Sequence, residues 1–146
     1  MEARLALGVA LVTGYLLDTS ALWYIFRNPD EAERWREPAR VGSLYICEPT
    51  KAEFLFSAKG PAHRDEMLEA LDGLCKSAPV PKSAWRWVDS AQYKLTQRGL
   101  HRSAGVVDLV VCATAVHHDL TVLHIDNDFT TVSSVVEELR ERNIRA

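Results

Sequence analysis

The sequence predicts an α/β sandwich built around a mainly parallel sheet, and three observations carry that expectation. Two β-rich segments, Tyr15–Leu17 and Thr121–Ile125, each end on an aspartate. Apolar residues at helical spacing fill most of the chain between them. The segment Val106–His117 is apolar nearly all round, as in a helix covered on most sides. Strands that alternate with helices give a sheet with helices packed on its faces, a three-layer arrangement.

Taken in order, Tyr15–Leu17 is a short apolar strand stopped at Asp18. Ser20–Arg27 reads as a helix with Leu22, Trp23, Ile25 and Phe26 as its apolar members, and Asn28-Pro29 stops it. Pro29 at a first helical position, with Asp30, Glu31 and Glu33 behind it, opens the next helix, because early carboxylates oppose the positive end of the dipole. Leu44–Cys47 is ambiguous. It leads into a helix over Pro49–Ala58, with Ala52, Leu55 and Phe56 on one stripe and Gly60-Pro61 as its stop. A helix from Ala62 to Cys75 carries Met67, Leu68, Leu71 and Leu74 at helical spacing. Ala78–Pro81 is a short strand or a turn. Ser83–Arg98 is a helix that Gly99 terminates. After the apolar helix and the Thr121–Ile125 strand, Val132–Arg142 is expected to close the chain as a helix.

Composition narrows the class. At 146 residues and 47% hydrophobic, the chain can bury a core as one domain without staples. Seventeen Lys+Arg against twenty Asp+Glu leave a net charge of −3, so bulk charge will not coat nucleic acid. A polyanion is reached only through grouped basic residues or bridging metal ions. Cys47, Cys75 and Cys112 are odd in number and lack C-x-x-C spacing. They read as small buried apolar residues in a reducing cytoplasm, not as a disulfide frame or a zinc site. The longest apolar run, Leu5–Leu17, falls short of the ~20 residues a membrane span needs. Arg4 and Leu5–Val12 have the outline of a secretory signal, but no A-x-A site follows and a cut would fall almost against the first strand. The expected organisation is an N-terminal extension over 1–14 and a single domain over 15–146.

Four acids stand out against this frame. Asp18 and Asp126 each follow the last apolar residue of a strand, so parallel strands put both on one edge of the sheet. Glu53 and Asp108 sit inside apolar helical stretches. Asp108 is the only charge between Arg102 and Asp119, with no Lys or Arg one turn away to pair with it. Each acid also has a structural reading. Asp18 suits a helix cap, Glu53 suits a solvent-facing position, and Asp126 and Asp128 suit an Asx turn. Grouped, the acids repel one another and call for cations. Oxygen-only ligands select Mg²⁺ or Mn²⁺, the equipment for phosphodiester hydrolysis by metal-activated water.

Four motifs resemble the PIN-domain ribonucleases, above all the VapC toxins of bacterial toxin–antitoxin pairs. They are Asp18-Thr19-Ser20-Ala21-Leu22, Ala52-Glu53-Phe54-Leu55, Val107-Asp108-Leu109 running on to Ala115, and Val122-Leu123-His124-Ile125-Asp126-Asn127-Asp128-Phe129. The resemblance spans residues 15–136 and implies a PIN-like sandwich and a Mg²⁺- or Mn²⁺-dependent endoribonuclease. It further implies a homodimer that is silenced by a small antitoxin. It assigns metal-binding and catalytic roles to Asp18, Glu53, Asp108 and Asp126, with Asp128 as an auxiliary metal ligand. One departure is His124, where many relatives place Thr or Ser.

Other residues invite readings of their own. His117-His118-Asp119 reads as a solvated helix end, since adjacent histidines on a helix point apart. Lys51, His101 and Arg102 flank acidic motifs and are candidates for RNA phosphate contact. Trp23 fits the core, while Trp85 and Trp87 fit a partner interface or a base-stacking surface. The competing functional reading is a non-catalytic PIN-like module whose acid pocket docks a basic partner segment. Binding of Mn²⁺ separates the two.

Overall fold

The computed structural model describes residues 14–146, in which five short strands form one sheet. They are β1 (Tyr15–Leu17), β2 (Leu44–Ile46), β3 (Lys76–Ser77), β4 (Thr121–His124) and β5 (Glu141–Asn143). The order is β3-β2-β1-β4-β5 and every neighbouring pair is parallel. The extension expected over 1–14 lies outside the described residues, Gly14 excepted. The helices are α1 (Thr19–Arg27), α2 (Pro29–Ala32), α3 (Arg36–Arg40), α4 (Glu48–Phe56), α5 (Pro61–Leu74), α6 (Ala84–Gln97), α7 (Val106–His117) and α8 (Asn127–Val135). None of them is long and apolar enough to cross a membrane.

Successive residues of a strand point to opposite faces, and the central strands use both. Leu16 and Val122 enter a core shared with α6, α7 and α8, among Val88, Leu95, Val111 and Phe129. Leu17 and Leu123 enter a second core with α1, α4 and α5, among Leu22, Phe54, Met67 and Leu71. These four strand residues are fully buried, and each such side chain contributes about 1.5–3 kcal/mol. A run of apolar residues without alternation therefore suits these strands, which are covered on both sides. The predicted three layers are present.

The chain winds from β1 to β2 and β3 on one side, then crosses to β4 and β5 on the other. Between β1 and β4 lies the point where strand order reverses, and the crevice at their carboxyl ends is where α/β sheets bind ligands. Leu17 pairs with Leu123, so Asp18 follows the end of β1 beside His124, the last residue of β4.

The chain's end corrects the expected helix over Val132–Arg142. Helix α8 starts at Asn127 and stops at Val135, and Glu141–Asn143 is strand β5 against β4. Val132, Val136 and Leu139 do have helical spacing and all reach one core. A turn closed by the Leu139 N–H on the Val136 carbonyl brings Leu139 there instead. Leu44–Ile46 resolves as a strand. Ala78–Pro81, read as a strand or a turn, is not a strand; the strand falls earlier, at Lys76–Ser77, and the Ala78 N–H extends its pairing to the Ile46 carbonyl. Helix α7 is buried from Leu109 to Ala115, but Val106 and Val107 at its start are 51% and 41% exposed. Gly99 ends α6 as expected: its φ of +69° lets the Leu100 N–H reach back to the Leu95 carbonyl.

Candidate active site at the carboxyl edge of the sheet

Three helices begin at the crevice, and each brings an acid. Asp18 is the N-cap of α1, where its Oδ2 accepts the Ser20 backbone N–H at 3.2 Å. Asp108 lies in the first turn of α7. Asp126 caps α8 by accepting the Asp128 N–H at 2.9 Å, and Asp128 sits in that helix's first turn. Helix N-termini favour carboxylates by about 0.3–1 kcal/mol each, which is why acids collect here. Asp18 is thus the helix cap its place in the sequence suggests, and Asp126, which accepts from the N–H two residues on, makes the expected Asx turn.

Ligand atoms of Asp108, Asp126 and Asp128 lie within 4.8 Å of one another. Asp18, 7% exposed, adjoins them closely enough for its charge to act on Asp108. Burial first, and then the charges of Asp18 and Asp126, push the Asp108 carboxyl up to about 6. Burial also raises Asp18, against the opposing hydrogen bonds from Ser20, and a smaller push comes from Glu53. Asp128 is raised by desolvation and by its neighbour Asp126. Among the described residues, the ion pairs join Glu31, Glu33, Glu37 and Asp119 to arginines, and none reaches these four aspartates. The helix termini thus offset only part of the repulsion.

Glu53 stands apart from the trio. It is exposed on α4, and its Oε1 accepts the Thr19 hydroxyl at 2.7 Å, one residue from Asp18. Sequence reasoning gave no role to Thr19 or Ser20. The Ser20 hydroxyl donates to Asp18 Oδ2 at 2.7 Å and accepts the Ile125 N–H at 3.0 Å, tying the start of α1 to the end of β4. Ser20→Ala strands that N–H and should cost about 1–3 kcal/mol. A lower urea midpoint with an unchanged slope would register the loss, and an unchanged midpoint would show the bridge to be idle.

The remaining candidates separate cleanly. His117 and His118 are exposed at the end of α7, with His118 Nε2 donating to the Pro79 carbonyl, and Asp119 pairs with Arg140. Trp23 packs on Phe54 at 4.8 Å, Trp87 donates to Glu138, and Trp85 is 64% exposed. All three cysteines are free, and burial pushes the Cys75 thiol up to about 12. Lys51, on α4, and His101 and Arg102, ahead of α7, are exposed. The acid trio offers oxygen alone, the donor set of a hard divalent cation.

A parallel α/β sandwich with acids at its switch point defines a class, and the PIN domain family model matches residues 15–135; the chain belongs to the PIN-domain family. Its relatives include Ribonuclease VapC6 of Mycobacterium tuberculosis, 40% identical over 104 residues, which are 71% of this chain and 80% of that protein. Ribonuclease VapC21 of the same organism is 33% identical over 129 residues, 88% of this chain and 92% of its own. Among solved structures, VapBC2 from Rickettsia felis, bound to a DNA fragment from its promoter, superposes with a TM-score of 0.73. That match is 18% identical and covers 88% of this chain and 97% of the other. VapBC-5 from Mycobacterium tuberculosis gives 0.62 at 21% identity, covering 90% and 99%. These two likenesses concern the fold.

Proposed function

We propose that this chain is a metal-dependent endoribonuclease, the toxin of a type II toxin–antitoxin pair, acting in the cytoplasm on RNA phosphodiesters. The observation that carries the reading is the convergence of Asp108, Asp126 and Asp128 within 4.8 Å at the switch point, with Asp18 beside them. The names of the relatives support it. Asp18, Asp108, Asp126 and Asp128 would hold Mg²⁺ or Mn²⁺, and Glu53 completes the rim. The donor set fits, because a cation offsets the burial, and then the neighbouring charges of Asp18 and Asp126, that hold Asp108 protonated up to about 6. Bound there, the ion supplies Lewis-acid charge for phosphodiester hydrolysis. The chain's own part is orientation. Ser20 fixes Asp18, Thr19 fixes Glu53, and the Asp128 N–H holds Asp126, while Asp108 and Asp128 stand in the first turns of α7 and α8. Sequencing RNA ends after a brief pulse of expression, beside Asp108→Asn, tests the reading. New ends that appear equally with both proteins would refute it.

The partners follow from two apolar surfaces. A groove of about 550 Å³ runs along α1–α3, lined by Ile25, Phe26, Ala32 and Ala39 with Glu33 and Arg36 at its rim. It suits a short antitoxin segment that sends a basic side chain on towards Glu53, since a guanidinium binds carboxylates in a fork. A second patch, with Trp85, Val106 and Val107, flanks Asp108 and suits a homodimer contact. Hydrogen exchange on a co-purified complex should show protection over Trp23–Arg36 and Lys51–Ala58. A partner that protects neither segment would remove the docking proposal.

A further inference from the structure

A histidine at the end of a buried strand needs partners for its ring, and His124 has used both nitrogens. It is 1% exposed. Its Nδ1 accepts the backbone N–H of Asp126 at 2.9 Å. A backbone N–H only donates, so the ring proton sits on Nε2, which donates to Glu141 Oε1 at 2.7 Å. The same Oε1 accepts the Thr130 hydroxyl at 2.9 Å. The ring also lies 5.1 Å from that of Phe129, which is itself fully buried. The imidazole is thereby fixed by β4, β5 and α8 together. The amide it grips belongs to the residue that caps α8 and carries an acid of the cluster.

We propose that His124 is a positioning residue for this acid cluster. Its Nδ1 fixes the Asp126 amide, and with it the direction in which the Asp126 carboxylate projects at the start of α8. Its Nε2 ties that turn to Glu141 on the edge strand. Glu141 lies beyond the family match at 15–135, so the relay draws the C-terminal edge strand into the site. The inference rests on the nuclease reading above, because it gives Asp126 a cation to hold.

Two substitutions divide the ring's functions. His124→Asn sets an oxygen where Nδ1 stands and gives up the link to Glu141. His124→Gln sets an amide N–H where the Nε2 proton stands and gives up the acceptor. The full chain, stripped of metal, is titrated with Mn²⁺ alone while free Mn²⁺ is followed by its paramagnetic resonance signal, and melting is recorded alongside. Loss of an outer partner of a ligating carboxylate weakens metal binding by about tenfold or more. His124→Gln should show that loss, and His124→Asn should restore binding to within roughly threefold of wild type, on the same scale. Equal weakening in both variants, tracking their melting temperatures, would reduce His124 to packing and overturn the proposal. So would unchanged binding in His124→Gln. A wild type that holds no Mn²⁺ would overturn the nuclease reading and this inference with it. Should neither variant fold, hydrogen exchange at the Asp126 amide of the wild type decides. Protection supports the grip, and exchange at the rate of a free peptide refutes it.

Discussion

Asp108→Asn, produced at the wild-type level, should leave RNA uncut and a bacterial host growing. The side chain keeps its shape and loses its charge, while one oxygen of the trio with Asp126 and Asp128 becomes a weaker, neutral donor. A metal ion contributes several kcal/mol to stabilising the charge that develops in phosphodiester hydrolysis. Forfeiting about 3–4 kcal/mol of that slows cleavage by a factor on the order of a hundred to a thousand. Misfolding would not explain the result, since removing a half-buried carboxylate from a repulsive cluster spares the apo fold a penalty. Growth arrest and cleavage at the wild-type rate by an equally abundant variant would sink the nuclease mechanism.

The second large effect is on stability. The Asp108 carboxyl is raised to about 6, and Asp18 and Asp128 are raised as well. A carboxyl raised on folding contributes stability that is fully present below its unfolded pKa of ~4 and is lost as pH rises through the folded value. Without divalent ions, wild type should therefore fall behind Asp108→Asn as pH rises from about 4 to above 6. Mn²⁺ reverses the deficit. At a hundredfold excess over its dissociation constant, a ligand specific for the folded state adds about 2.7 kcal/mol. At roughly 2–4 °C per kcal/mol for a chain of this size, wild type at pH 7.5 should gain about 5–11 °C. Near pH 5, where Asp108 keeps its proton, the gain should shrink, and in Asp108→Asn it should shrink at every pH. Melting curves for both proteins across this range, with and without Mn²⁺, check both signs. An undiminished Mn²⁺ shift in the variant would remove Asp108 from the cation site, and a flat difference between the proteins would contradict the raised carboxyl.

Much of this was legible in the residues, for local reasons. Helical spacing marked α5, which turns an apolar stripe inward, and α7 stood out as apolar nearly all round, as a helix covered on most sides must be. Strands covered on both faces are uniformly apolar, so Leu16–Leu17 and Val122–Leu123 announced themselves, and the acids that follow them marked the edge. Strand β5 was invisible: Glu141-Arg142-Asn143 carries no apolar alternation, and its place depends on backbone pairing with β4. Helical spacing at Val132, Val136 and Leu139 misled because a helix and a turn can deliver the same side chains to one core.

The sequence by itself determined the α/β class and brought out the acids, since these depend on side-chain chemistry and short-range spacing. The apolar stripe expected at Ala52, Leu55 and Phe56 gave way to Phe54 and Leu55, with Phe56 92% exposed. Only the tertiary structure decided which acids meet. Asp108, Asp126 and Asp128 close to within 4.8 Å, while Glu53 stays exposed and is held by Thr19. It also decided that Ser20 and His124 hold the edge, through the Ile125 and Asp126 amides respectively. Such distances are set by strand register and crossover between residues far apart in the chain, and no local pattern encodes them.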